Sequence, residues 1–282
     1  MSDRSQVATA GLLAPPLHDL VDGTVTRVRA RLESGIADAM GPATGAPIDI
    51  GLPYLRRARY RPETLGLVDE AFAWKPAFVR RSLGLEVVRA CAEGRFRAPA
   101  AAVGPVADHA LDAWRRTGWR TFHWEPWFAG LGAGARSVVL AEAVTWATPL
   151  WATFDWPPLV ASTIFGGSDD RWSSAAAGPV HLRGRVEARV HPSDARPSLV
   201  SVASGRPGDG WREELAYLAL VAALAVPDGS VAARVVGLWP EAAVRLAVEI
   251  DEEALVGAAD RVVDAVAVTA DIRCAIPESD VA

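Results

Sequence analysis

The hydrophobic period of this chain changes at Pro157 and Pro158. Before those prolines, apolar residues recur three and four apart, the spacing of one face of a helix; after them, runs that alternate apolar and polar residues appear. The alternation is clearest in VHLRGRVEARV, residues 180 to 190, where Leu182, Gly184, Val186 and Ala188 share a face opposite His181, Arg183, Arg185, Glu187 and Arg189. A chain with this order is predicted to carry a helical lobe first and an α/β region second.

The boundaries follow from the same pattern. Residues 1–50 are read as a partly flexible segment holding one helix within LHDLVDGTVTRVRARLESGIADAM, where Leu17, Leu20, Val21, Val25, Val28, Leu32 and Ile36 keep helical spacing. Residues 51–134 form the helical lobe, with FVRRSLGLEVVRACAEG ending at Gly94 and PAAAVGPVADHALDAWRRTG ending at Gly118, as C-cap glycines would place them. Residues 135–270 begin with the helix ARSVVLAEAVTWATPLW and continue with strands over 160–165, 180–190 and 198–204, the last two joined by the loop HPSDARP. The helix WREELAYLALVAALA follows, then strands in ARVVGLWP and VRLAVEI, then a helix capped by Asp251; residues 271–282 are read as a flexible tail.

Half of the residues are hydrophobic, enough for a sizeable core, and the net charge is -5. Phosphate contacts come from Lys and Arg, so that charge argues against a simple basic nucleic-acid coat. Lys75 is the only lysine, which leaves one candidate wherever chemistry needs a primary amine. Cys91 and Cys274 lack the spacing of a disulfide framework or a zinc site and are expected to be buried free thiols in a reducing cytoplasm. The start has no basic segment followed by an apolar run, and the longest apolar stretches are broken by Glu142, Pro149 and Pro227, so a cytoplasmic chain without a membrane partner is expected.

The run YLRRARYRP sets Arg56, Arg57, Arg59 and Arg61 around Tyr54 and Tyr60, and is the best candidate for nucleic-acid contact, since Arg pairs with phosphate and Tyr stacks on bases. The simpler alternative is a solvated face with the aromatics packed down. In FHWEPW, a strand would put His123 and Glu125 on one face as metal ligands; a loop with Trp124 and Trp127 buried is the simpler reading. His109, flanked by Asp108 and Asp112, reads as an ordinary helix residue, and GLGAGA at 130–135 follows no strand, so it is a weak dinucleotide signal. Most of the 11 tryptophans are expected in the core.

The colinear series of strand, hairpin, strand ending in SGRP and alanine-rich helix resembles the PD-(D/E)XK nuclease superfamily, in particular its RecB-like exonuclease branch. The resemblance covers about residues 135 to 268. It implies an αβββαβ core with a mixed sheet flanked by helices and does not explain the helical N-terminal lobe, which is read from periodicity; together they make an α/β chain. In the family a G-x-x-D strand supplies a metal ligand, the next strand supplies D/E-x-K, and the next helix carries Q-x-x-x-Y. Here Gly184 to Glu187 match the first element with Glu for Asp; Ser201 and Ala203 stand where the acid and lysine would be; Glu213 and Tyr217 stand at the Gln and Tyr.

The resemblance therefore implies a domain that has lost the groups that hold Mg2+ and orient the attacking water, leaving Glu187 as a weak metal candidate and no confident catalytic residue. The expected role is a binding or scaffolding module with no cofactor, with DNA as a candidate partner in repair or processing and a protein partner besides. Two alternatives stay open. One is an active Mg2+-dependent nuclease using Glu187 with Asp169, Asp170, Glu213 or Glu214; the other is a protein-interaction module with no nucleic-acid role.

Overall fold

The structure is a computed structural model that describes residues 3–41, 47–65, 74–117, 124–165, 172–193, 195–203, 205–225 and 230–275. In chain order its elements are α1 (Asp3–Leu13), α2 (Thr24–Met40), β1 (Ile48–Ile50), α3 (Leu52–Tyr60), α4 (Pro76–Ala92), α5 (Pro99–Thr117), α6 (Glu125–Ala129), α7 (Ala133–Thr153) and α8 (Pro157–Val160). The second half adds β2 (Thr163–Phe165), β3 (Trp172–Ala177), β4 (Val180–Arg185), β5 (Ala188–Val190), β6 (Ser198–Val202), α9 (Trp211–Ala225), β7 (Arg234–Trp239), β8 (Val244–Glu249) and α10 (Glu252–Ala275). The chain is an α/β protein with two mixed sheets, one in the order β1-β4-β3 and one in the order β2-β5-β6-β7-β8.

The described residues fall into two compact units. The first takes its residues from 1–13, 70–163 and 239–244 and is helical. Its central pair is α4 on α7, where Gly84 lets the Trp146 ring lie on the backbone: a Cβ at that glycine would fall 2.6 Å from the ring. α4 ends as its sequence predicts. Gly94 takes a left-handed φ of 75, its N–H bonds to Cys91 O, and the Arg95 N–H reaches back to Ala90 O, which satisfies the last carbonyls of the helix. Trp124, Trp146 and Trp156 are buried, and Trp124 and Trp156 meet Phe128 and Phe154 edge to face.

The second unit takes its residues from 14–69, 164–238 and 245–282 and contains the sheets. Its centre is α9, buried without a break from Leu215 to Leu224, which contacts β3, β4, α10 and α2. A helix that is apolar all round has no solvated face to offer, so it must be enclosed; each leucine so buried contributes roughly 1.5–3 kcal/mol. Arg234 on β7, 4% exposed, is enclosed too. It forms a two-pronged pair with Glu249 on β8 at 2.7 and 3.1 Å and donates to the carbonyls of Ala14 and Pro15, so the buried charge has its donors met.

Several predicted elements shift. The strand expected over 160–165 shortens to β2, because Pro157 and Pro158 open the helical turn α8. The helix expected from Leu17 starts at Thr24, since Gly23 adopts a left-handed φ of 78 just before it. The strand expected over 180–190 breaks at Val186 and Glu187: β4 pairs with β3 and β1, whereas β5 pairs with β6. Alternation holds up to Arg185 and then fails, because Glu187, placed by period on the polar face, is 3% exposed. α1, β1 and β3 were not expected. α10 extends to Ala275, and residues 276–282 lie outside the described residues, as do His123, Asp169, Asp170 and Ser204.

Candidate functional site

The hairpin that carries Glu187 is closed by Glu187 itself. Just past β6 the Ala203 N–H bonds to Leu238 O on the β7 side. The preceding Val202 N–H faces the opposite edge, as alternate amides of a strand do. There the ladder to β5 has run out, its last pair being Ala188 with Val200. Glu187 fills the gap: its Oε2 accepts the Val202 N–H at 2.6 Å while its own N–H donates to Val200 O at 2.8 Å. Arg185, two residues earlier on the chain, sets its Nε 3.5 Å from Glu187 Oε1. The carboxylate thus does the work of a missing strand residue, with a guanidinium beside it to offset the charge.

The positions where the resemblance would put the second acid and the lysine lie on β6 and just past it. Ser201 is buried within β6 and pairs with Gly237 of β7; Ala203 follows the end of the strand and is half-buried. Gly184, the first residue of the G-x-x-E element, has a packing reason of its own. A Cβ there would stand 3.2 Å from Val221 Cβ, so the glycine lets β4 settle on α9.

Tyr217 is fully buried on α9, and its hydroxyl lies 2.7 Å from Ile50 O and 3.1 Å from Arg183 O, donating between the ends of the parallel pair β1 and β4. Burial pushes the phenol well above its ordinary pKa, so it is a neutral donor at any physiological pH. It is a post between strands, with no side-chain acid or base bonded to it.

Glu213 lies one turn before Tyr217 and has a different neighbourhood, a shallow cleft lined by Leu55, Arg56, Arg59, Tyr60, Gly210, Glu213, Glu214 and Arg261. Helix α3 brings the arginine run here. Arg56 forms a two-pronged pair with Glu214 at 2.7 Å for each bond. Arg59 lies over the Tyr60 ring at 5.2 Å and 4.0 Å from Glu213, and rests on Gly210, where an added Cβ would fall 2.5 Å from its Nη1. Arg57 stacks over Tyr54 at 6.0 Å, and the Tyr54 hydroxyl bonds to Thr269 on α10. Arg61, at the end of α3, is 3.8 Å from Glu63. Arg56, Arg59 and Tyr60 of the basic run, remote in sequence from Glu213, thus line one cleft with it, while Tyr54, Arg57, Arg61 and Tyr217 do not.

The remaining candidates disperse. Lys75 is exposed at the start of α4 in the helical unit. Glu125 is buried in the first turn of α6 beside buried Trp124, while Trp127 is half-buried, so the segment is helical and not a strand. His109 and Asp108 are exposed on α5, and Asp112 pairs with Arg115 at 2.9 Å. GLGAGA leads from α6 into α7, with no strand before it. Among the described residues no three His, Cys, Asp or Glu side chains cluster to hold a metal ion, and no described helix is long and apolar enough to cross a membrane. Cys91 is a buried thiol whose pKa burial pushes up to about 11.

Two participants escape a motif reading. Arg185 is marked only by its i, i+2 spacing to Glu187, and Arg261 lies on α10, remote in sequence from both other walls of the cleft. No family model, curated protein or solved structure matches the chain.

Proposed function

We propose that this chain is a catalytically silent RecB-like nuclease domain that serves as a binding or scaffolding module. The reading is supported by part of the strand order of the second unit: β3 and β4 run antiparallel in one sheet, β5 and β6 run antiparallel in the other, and α9 then connects β6 to β7, which lies parallel to it.

The observation that carries the silence is the bond from the Val202 N–H to Glu187. A carboxylate that holds a metal must turn its oxygens toward the ion and the scissile phosphate. This one spends an oxygen on the sheet, beside an arginine. Ser201 and Ala203 offer neither a second carboxylate nor a cation. Of the arginines expected to meet DNA, Arg56 is spent on Glu214 and Arg57 lies over Tyr54, which favours a protein partner over a duplex.

The test is a cleavage assay. Full-length protein with single- and double-stranded DNA and Mn2+ is expected to release no nucleotides. Metal-dependent release that disappears in Glu187→Ala would refute the silent reading.

A further inference from the structure

Arg261 stands out among the cationic side chains of the cleft. It is half-buried and has no hydrogen-bond or ion-pair partner among the described residues. A guanidinium stays charged at every physiological pH and carries five donors, so this one is poised for an acceptor the chain does not supply. Arg59 is nearly as available, since 4.0 Å to Glu213 is an ion pair without a hydrogen bond. Arg56 and Glu214 neutralise each other in the two-pronged pair. Three arginines and two glutamates line the cleft, which leaves one positive charge unbalanced.

We propose that the cleft between α3 and the start of α9 is a docking site for an acidic segment of a partner protein, one of whose carboxylates seats between Arg59 and Arg261. This rests on the binding-module reading and names the chemistry of its partner. Charge complementarity selects the occupant. One carboxylate neutralises the cleft, and its planar pair of oxygens suits a guanidinium fork. A polyphosphate backbone would meet Glu213 and Glu214 along with the arginines, in a chain whose net charge is already -5. Tyr60, 54% exposed beside the arginines, adds an amphipathic ring of the sort that anchors protein interfaces. Gly210 keeps the seat open, because a side chain there would displace Arg59.

The test is a random-peptide display selection on the full chain, counter-selected on Arg261→Ala. Because Arg261 has no hydrogen-bond or ion-pair partner among the described residues, that variant is expected to melt like the wild type. Selected peptides should share an Asp or Glu at a fixed position, and its amide counterpart should bind about tenfold more weakly or worse, as loss of a charge-assisted pair implies. Glu213→Gln, which removes the competing carboxylate, should tighten binding several-fold, an effect a purely structural role for the cleft would not produce. Peptides without a fixed acid, undiminished binding to Arg261→Ala, or a single-stranded oligonucleotide that binds through Arg59 and Arg261 more tightly than any acidic peptide would each overturn the proposal. A positive cleavage assay would instead refute the silent reading and leave the docking site to be judged on these measurements.

Discussion

Glu187 and Glu214 are two acids of the same unit, yet the molecule treats them oppositely. Glu187 is 3% exposed and bonded to a backbone amide of the strand opposite; the Glu214 side chain is 20% exposed and held by Arg56, whose side chain is 48% exposed. Removing the first takes an acceptor from a buried N–H, whereas removing the second returns a guanidinium to water. The difference teaches that an acid which a sequence pattern marks for chemistry can instead be part of the sheet's hydrogen bonding. The hairpin belongs to the fold, and the cleft is where charge remains to be satisfied.

Substitutions sharpen that contrast, beginning with the post between β1 and β4. Tyr217→Ala removes a fully buried ring and its bonds to Ile50 and Arg183, and should cost about 3–5 kcal/mol in chemical denaturation. Tyr217→Phe keeps the volume and should cost about 1 kcal/mol. Near-equal losses for the two would show that the hydroxyl, not the packing, sets the strand spacing.

Glu187→Ala should cost about 1.5–3 kcal/mol, the range for a buried hydrogen bond to a charged group. A neutral result would erase the difference between hairpin and cleft. Arg56→Ala should cost about 0.5 kcal/mol, since the pair it breaks is partly solvated on both sides; a loss as large as that of Glu187→Ala would reverse the ranking.

The smallest effect is a pH dependence at the surface. The hydrogen bonds from Arg27, with help from Thr24, hold the Glu252 carboxyl below its ordinary pKa. A folded-state pKa that is depressed contributes stability above the unfolded value and loses it as pH falls through the folded one. Glu252→Gln should therefore flatten the acid limb of a stability curve slightly and leave neutral pH almost unchanged. An acid limb as steep as the wild type's would show that Arg27 does not engage Glu252 in solution.

Much of the second half is legible from periodicity and capping. α9 reads from its unbroken apolar run, β7 and β8 from their spacing, and α10 from Asp251, whose Oδ1 accepts the Ala254 N–H at 2.8 Å. β1 and β3 are illegible for physical reasons. Three residues carry no period, and in WSSAAA only the first side chain is large, so nothing alternates along it. The break at Glu187 is equally hidden, because it comes from a change of strand partner and no local sequence records which strand lies alongside. At the candidate site the positions of Glu187, Glu213 and Tyr217 are visible, but their partners are not. Tyr217 bonds to Ile50, 167 residues away, and the cleft needs α3, α9 and α10 together.

The central claim is that the Glu187 carboxylate is an element of the sheet. Amide hydrogen exchange at Val202 tests it most directly, in the wild type and in Glu187→Ala, with and without Mn2+. The account predicts that the wild-type Val202 amide is protected like its β6 neighbours, that protection falls more at Val202 than at Val200 in the variant, and that Mn2+ leaves the wild-type pattern unchanged. A Val202 amide indifferent to the substitution, or released by Mn2+ in the wild type, would contradict it.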